Sequence, residues 1–253
     1  MPLLATALLT HPGTWWMAQV GALLIGMAKA GLAGFGMVSV ALFAEAFGGK
    51  ESTGLVLPLL IAADIMGYMV LRRGGGSWKQ IIPLAPPACV GVVIGWVLLD
   101  RLPHQSAARV IGWMIIGLLA LKLVLDWKRE QLKSLHRHPV FTWFIGITAG
   151  LVTMLANAAG PVMAIYLLAH RFEKGSYLGI FSRFFLFMNL FKVPFSANIG
   201  LINADSLMTN LTLLPAVVIG VLIGWPSVKL LSQRTFEWLI LVFAFAAALK
   251  LIV

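Results

Sequence analysis

Arg183, Lys29 and Asp64 each fall inside a long apolar stretch of the sequence. An ionisable side chain within a bilayer costs from about 2.5 to more than 10 kcal/mol, and so it faces a cavity or a partner. Arg183 lies seven residues into stretch 176–196, roughly 10 Å deep at about 1.5 Å per residue. Its planar guanidinium suits bidentate capture of paired oxyanion oxygens. An arginine tied to the backbone carbonyls of a broken helix, or one snorkelling to the headgroups, fits the same spacing. Lys29 sits in the glycine-rich segment Ala28–Gly36 (AKAGLAGFG). If the surrounding stretch turns back on itself, the ammonium lies near the membrane centre and can meet a substrate or a counter-charge. If the stretch is one straight helix, Lys29 reaches the interface. Asp64, with Asn189 as its counterpart in the second half of the chain, either carries a coupling ion such as a proton or neutralises Lys29 or Arg183.

Neutral groups complete the set. Asn157 stands in Leu155–Pro161 (LANAAGP), a segment that glycine and proline should unwind, and is read as a pocket residue. Asn189, Ser39 and Thr153 can line a pocket or join helices through hydrogen bonds. Gly36 and Gly160 mark the starts of half-helices whose positive ends can face an anion. Lys192, one turn before the end of its stretch, reads as a snorkelling residue. Catalytic constellations are not expected: the histidines fall in loops or at the ends of stretches, Cys89 is single, and no phosphate-cradling loop or zinc motif occurs. The reading is therefore a non-enzyme without cofactor or metal.

These residues need elements to position them. Sixty per cent of the residues are hydrophobic, 11% are charged and the mean hydropathy is +0.94, which excludes an ordinary soluble domain. Apolar stretches at 14–47, 52–71, 79–99, 107–126, 141–169, 176–196, 207–229 and 235–253 suit spans of about 20 helical residues. Their continuous character excludes an outer-membrane barrel. The net charge of +10 lies mostly in short loops and reports membrane orientation, not nucleic-acid binding.

The two halves of the chain repeat. Pro86–Trp96 (PPACVGVVIGW) parallels Pro215–Trp225 (PAVVIGVLIGW), and Gly26 and Gly36 pair with Gly150 and Gly160. Internal duplication of membrane spans marks many transporters, with the site between the repeats. If stretches 14–47 and 141–169 each enter and return on one side, most basic residues fall on one face, as the positive-inside rule requires. The expected fold is an all-α polytopic membrane protein of two inverted repeats, each a broken helix or hairpin followed by three transmembrane helices. Residues 1–126 form the first repeat, 127–140 a basic cytoplasmic linker and 141–253 the second repeat. Small-residue faces at Gly91–Gly95 and Gly220–Gly224 allow close packing within the monomer or in a homodimer.

The glycine-rich Gly26–Gly36, the stretch Lys50–Asp64 (KESTGLVLPLLIAAD), Met154–Pro161 (MLANAAGP) and the Pro-Gly-Trp segments of both halves resemble the sulfite exporter TauE/SafE family, also called the toluene-sulfonate uptake permeases. The first glycine-rich stretch departs from the pattern, with Met37 at the position matching Pro161. The resemblance implies a multi-pass carrier in the bacterial inner membrane for small anions such as sulfite, sulfonates or related organic acids. Combined with the residues above, it gives an ion-coupled secondary transporter using a proton or sodium by alternating access. The alternatives are a passive anion channel, or a membrane-embedded enzyme or permease subunit.

Overall fold

The computed structural model describes residues 12–32, 34–71, 75–127, 139–170 and 172–230, with isolated positions beyond 241. The central linker, apart from its flanks, and nearly all of stretch 235–253 lie outside the described residues. Among those described, all regular structure is helical: α1 (Pro12–Lys29), α2 (Phe35–Phe47), α3 (Gly49–Leu71), a 3-10 turn (Trp78–Gln80), α4 (Ala85–Arg101), α5 (His104–Trp127), α6 (Pro139–Ala156), α7 (Gly160–Ala169), α8 (Lys174–Asn198) and α9 (Ala204–Leu230). Stretch 79–99 starts its helix later than its hydropathy suggests. Ser77 and Gln80 cap the 3-10 turn, and Pro86 and Pro87 occupy the first turn of α4, where proline is tolerated.

Both long stretches are broken. In the first, α1 ends at Lys29 and Gly31 takes φ 121°, a conformation open to glycine. The chain then returns along itself: the Ser39 hydroxyl donates to the Gly21 carbonyl at 2.9 Å, and the Phe43 ring covers Gly21. In the second, α6 ends at Ala156 and Asn157 takes φ 52°, which asparagine adopts more readily than most residues. Pro161, in the first turn of α7, needs no intrahelical donor. At 13 and 10 residues, α2 and α7 are too short to cross a hydrocarbon core, which takes about 20 residues.

The helices pack crosswise between the halves. α4 lies against α6, α9 against α1, and α3 against α8. Glycines allow the first two crossings, and their contacts recur pair by pair. A Cβ on Gly26 would strike the Val217 carbonyl, and one on Gly150 the Ala88 carbonyl. Likewise a Cβ on Gly220 would strike the Leu23 carbonyl, and one on Gly91 the Ile147 carbonyl. The small-residue faces at Gly91–Gly95 and Gly220–Gly224 are thus used inside one protomer.

Among the described residues, four helices are long and apolar enough to cross a membrane: Gly49–Leu71, Pro139–Ala156, Gly175–Asn198 and Ala204–Ser227. Large apolar side chains such as Trp113, Phe144, Leu211 and Leu222 point outward. That surface suits lipid and would be costly in water.

Candidate functional site

The two breaks meet the central helices α3 and α8 at a buried polar cluster. Lys29, the last residue of α1, forms an ion pair with Asp64 of α3 at 2.8 Å. Its ammonium also stands 4.4 Å from the centroid of the Phe185 ring on α8, a favourable cation–π placement. The Asn189 amide of α8 donates to the second Asp64 oxygen at 2.6 Å. Asp64 and Asn189 are each 1% exposed. The carboxylate is therefore held from both halves of the chain. The amide oxygen of Asn189 is buried and has no hydrogen-bond partner among the described residues, leaving one acceptor open beside Asp64.

Lys192, one turn further along α8, does not snorkel. It is 2% exposed, and its ammonium donates to the Thr153 carbonyl at 2.9 Å, the Thr153 hydroxyl at 3.2 Å and the Asn157 side-chain oxygen at 2.5 Å. Asn157 in turn donates to the Thr53 carbonyl of α3 at 2.9 Å. The break in the second half is thereby tied to both central helices. α8 runs on to Asn198, so Lys192 lies deeper in its helix than the hydropathy boundary indicates.

The cluster is arranged alike on its two sides. Thr153, which meets Lys192, stands three residues after Gly150 as Lys29 stands three after Gly26, and Gly67 stands three after Asp64 as Lys192 stands three after Asn189. Gly67 packs against the Lys29 carbonyl, at 2.7 Å from its would-be Cβ. One ammonium therefore lies at the C-terminal end of each first half-helix, α1 and α6, where unpaired carbonyls favour positive charge. Counted formally, two lysines against one carboxylate leave the cluster one positive charge in excess.

Arg183 is held elsewhere. It precedes Asn189 by six residues on α8, about 9 Å along the axis at roughly 1.5 Å per residue. Its Nη1 donates to the Gly179 carbonyl at 2.8 Å and the Gly75 carbonyl at 3.3 Å, and its guanidinium lies 5.2 Å from the Tyr68 ring centroid. Of the readings open in the sequence, attachment to backbone carbonyls describes this geometry. Arg183 pins the segment after α3 onto α8, and its buried Nε has no hydrogen-bond partner among the described residues. Gly36 and Gly160 lie at the beginnings of α2 and α7, on the far side of each break. Among the described residues, no group of three or more His, Cys, Asp or Glu could hold a metal ion.

Broken half-helices, outward apolar faces and a charged cluster buried at the breaks define an all-helical polytopic membrane protein. The sequence matches the sulfite exporter TauE/SafE family over residues 18–251, and the chain belongs to that family. It is accordingly a membrane transporter of the sulfite-exporter type. No curated protein and no solved structure matches the chain.

Proposed function

We propose that the protein is an ion-coupled secondary transporter of a small anion, sulfite or a sulfonate or related organic acid, in the bacterial inner membrane. The observation that carries this reading is the buried cluster of Lys29, Asp64, Asn189, Asn157 and Lys192 at the two helix breaks. Its excess positive charge calls for an anion, since an unbalanced buried charge is costly. Lys29 supplies charge, the Asn189 and Asn157 amides orient the solute, and the half-helix starts at Gly36 and Gly160 add their positive ends. Asp64 carries the coupling ion, a proton in the simplest form, because a neutral Asp64 releases Lys29 to the solute. Arg183 fixes the segment after α3 in this scheme.

Two inverted repeats would alternate access by rocking against each other across the glycine crossings, with Asp64 and Asn189 at the centre. The reciprocal contacts of Gly26 and Gly150, and of Gly91 and Gly220, support that symmetry. Uptake of labelled sulfite and sulfoacetate by proteoliposomes tests the reading. Saturable, competable flux with counterflow identifies a carrier, whereas unsaturated current identifies a channel.

A further inference from the structure

Lys192 has no place in a scheme built on one lysine facing one aspartate, yet it is the most completely enclosed cation of the cluster. Its three ammonium protons go to neutral acceptors, the Thr153 carbonyl and hydroxyl and the Asn157 amide. None of these cancels its charge. The neighbouring carboxylate, Asp64, is already engaged by Lys29 at 2.8 Å and Asn189 at 2.6 Å. A buried charge without a counter-ion is costly, and ionisable groups inside a membrane protein face its interior or a cavity and mark solute or ion pathways.

We infer that Lys192 is the second anion-binding ammonium of the site and the residue that gives it room for one negative charge. With Lys29 and Asp64 neutralising each other, Lys192 supplies the net attraction for a monoanion. A dianion then enters only when Asp64 has taken up a proton, which frees the charge of Lys29 as well. The longest bond of Lys192, to the Thr153 hydroxyl at 3.2 Å, is the one an oxyanion oxygen replaces most readily. Asn157 holds the ammonium at the break in the meantime, from a backbone conformation (φ 52°) that few other residues adopt readily. This inference rests on the anion-carrier reading above.

A structural role is the competing explanation, since a cation at the C-terminal end of α6 also satisfies unpaired carbonyls. Charge restoration separates the two. Binding of methanesulfonate, a monoanion, is measured on the purified full chain by anion-dependent thermal shift. The proteins are wild type, Lys192→Gln, Lys192→Arg and the double variant Lys192→Gln/Asp64→Asn, each eluting as one monodisperse species. Lys192→Gln makes the cluster neutral and should weaken methanesulfonate at least tenfold. Lys192→Arg should keep it. The double variant restores one net positive charge on Lys29 and should recover most of the lost affinity.

Wild-type affinity in Lys192→Gln overturns the inference. So does loss in the single variant without recovery in the double, because a purely structural lysine is not replaced by removing a carboxylate. If wild type binds none of methanesulfonate, sulfite or sulfoacetate, the anion-carrier reading fails and this inference with it. The wild-type arm thus tells the two failures apart.

Discussion

Asn189 of α8 donates a 2.6 Å hydrogen bond to Asp64 of α3, joining the two residues that match each other in the two halves of the sequence. The bond lies in the packing of α3 against α8, one helix from each half of the chain. The carboxylate is shared between Lys29 of the first half and Asn189 of the second. A change in its charge therefore bears on both halves at once.

Replacing the carboxylate by an amide tests its part in coupling. Asp64→Asn keeps the shape of the side chain but cannot take up a proton. Sulfite exchange should persist, while stimulation of uptake by an inward proton gradient should disappear. Gradient-driven accumulation at wild-type level in Asp64→Asn would assign coupling to another group.

Lys29→Met leaves Asp64 buried without its cation. Breaking a buried pair from one side costs about 3–5 kcal/mol, whereas replacing both partners by apolar groups of similar size is often neutral. Lys29→Met should therefore lower the melting temperature in detergent strongly, and Lys29→Met/Asp64→Leu should bring it back near wild type. Equal melting of the single and double variants would show that the ion pair is not energetically coupled.

The crossings of α4 with α6 and of α9 with α1 depend on glycine. Gly150→Ala places a methyl group against the Ala88 carbonyl, and Gly26→Ala places one against the Val217 carbonyl. Each should destabilise by about 1–3 kcal/mol, the usual range for overpacking. Gly117 on α5 has nothing within 4 Å of its would-be Cβ. Gly117→Ala should instead stabilise by about 0.5–1 kcal/mol through helix propensity. Thermal melts of the three variants check the contrast.

Arg183→Ala removes the bond that ties Gly75 to α8. Hydrogen exchange at residues 75–77 should accelerate while methanesulfonate affinity stays at the wild-type level. Lost affinity with unchanged exchange would return Arg183 to direct contact with the anion.

Much of this arrangement was legible from residue type. Gly31, Asn157 and Pro161 betray the breaks because backbone freedom and a missing donor are properties of single residues. Read as a hairpin, the first stretch turns Lys29 toward a counter-charge, which the structure supplies in Asp64, and the matched glycines mark the helix crossings. Lys192 was misjudged because its depth was counted from a hydropathy boundary. α8 continues past that boundary, and its partners Thr153 and Asn157 come from a segment that spacing along α8 cannot reveal. Arg183 illustrates the same gap: Gly179, four residues back, was an available acceptor, but Gly75 comes from the segment after α3.

The most direct test of the anion site is labelled sulfite counterflow in proteoliposomes, comparing wild type with Lys29→Met/Asp64→Leu at matched folded protein. The double variant keeps an apolar, well-packed centre but loses the ammonium and the carboxylate together, so misfolding does not explain a loss. The predicted result is saturable wild-type flux and, in the folded double variant, a KM for sulfite raised at least tenfold, since the dianion loses the ammonium of Lys29 and keeps only that of Lys192. Flux through that variant with wild-type KM would contradict the placement of the anion at Lys29 and Asp64.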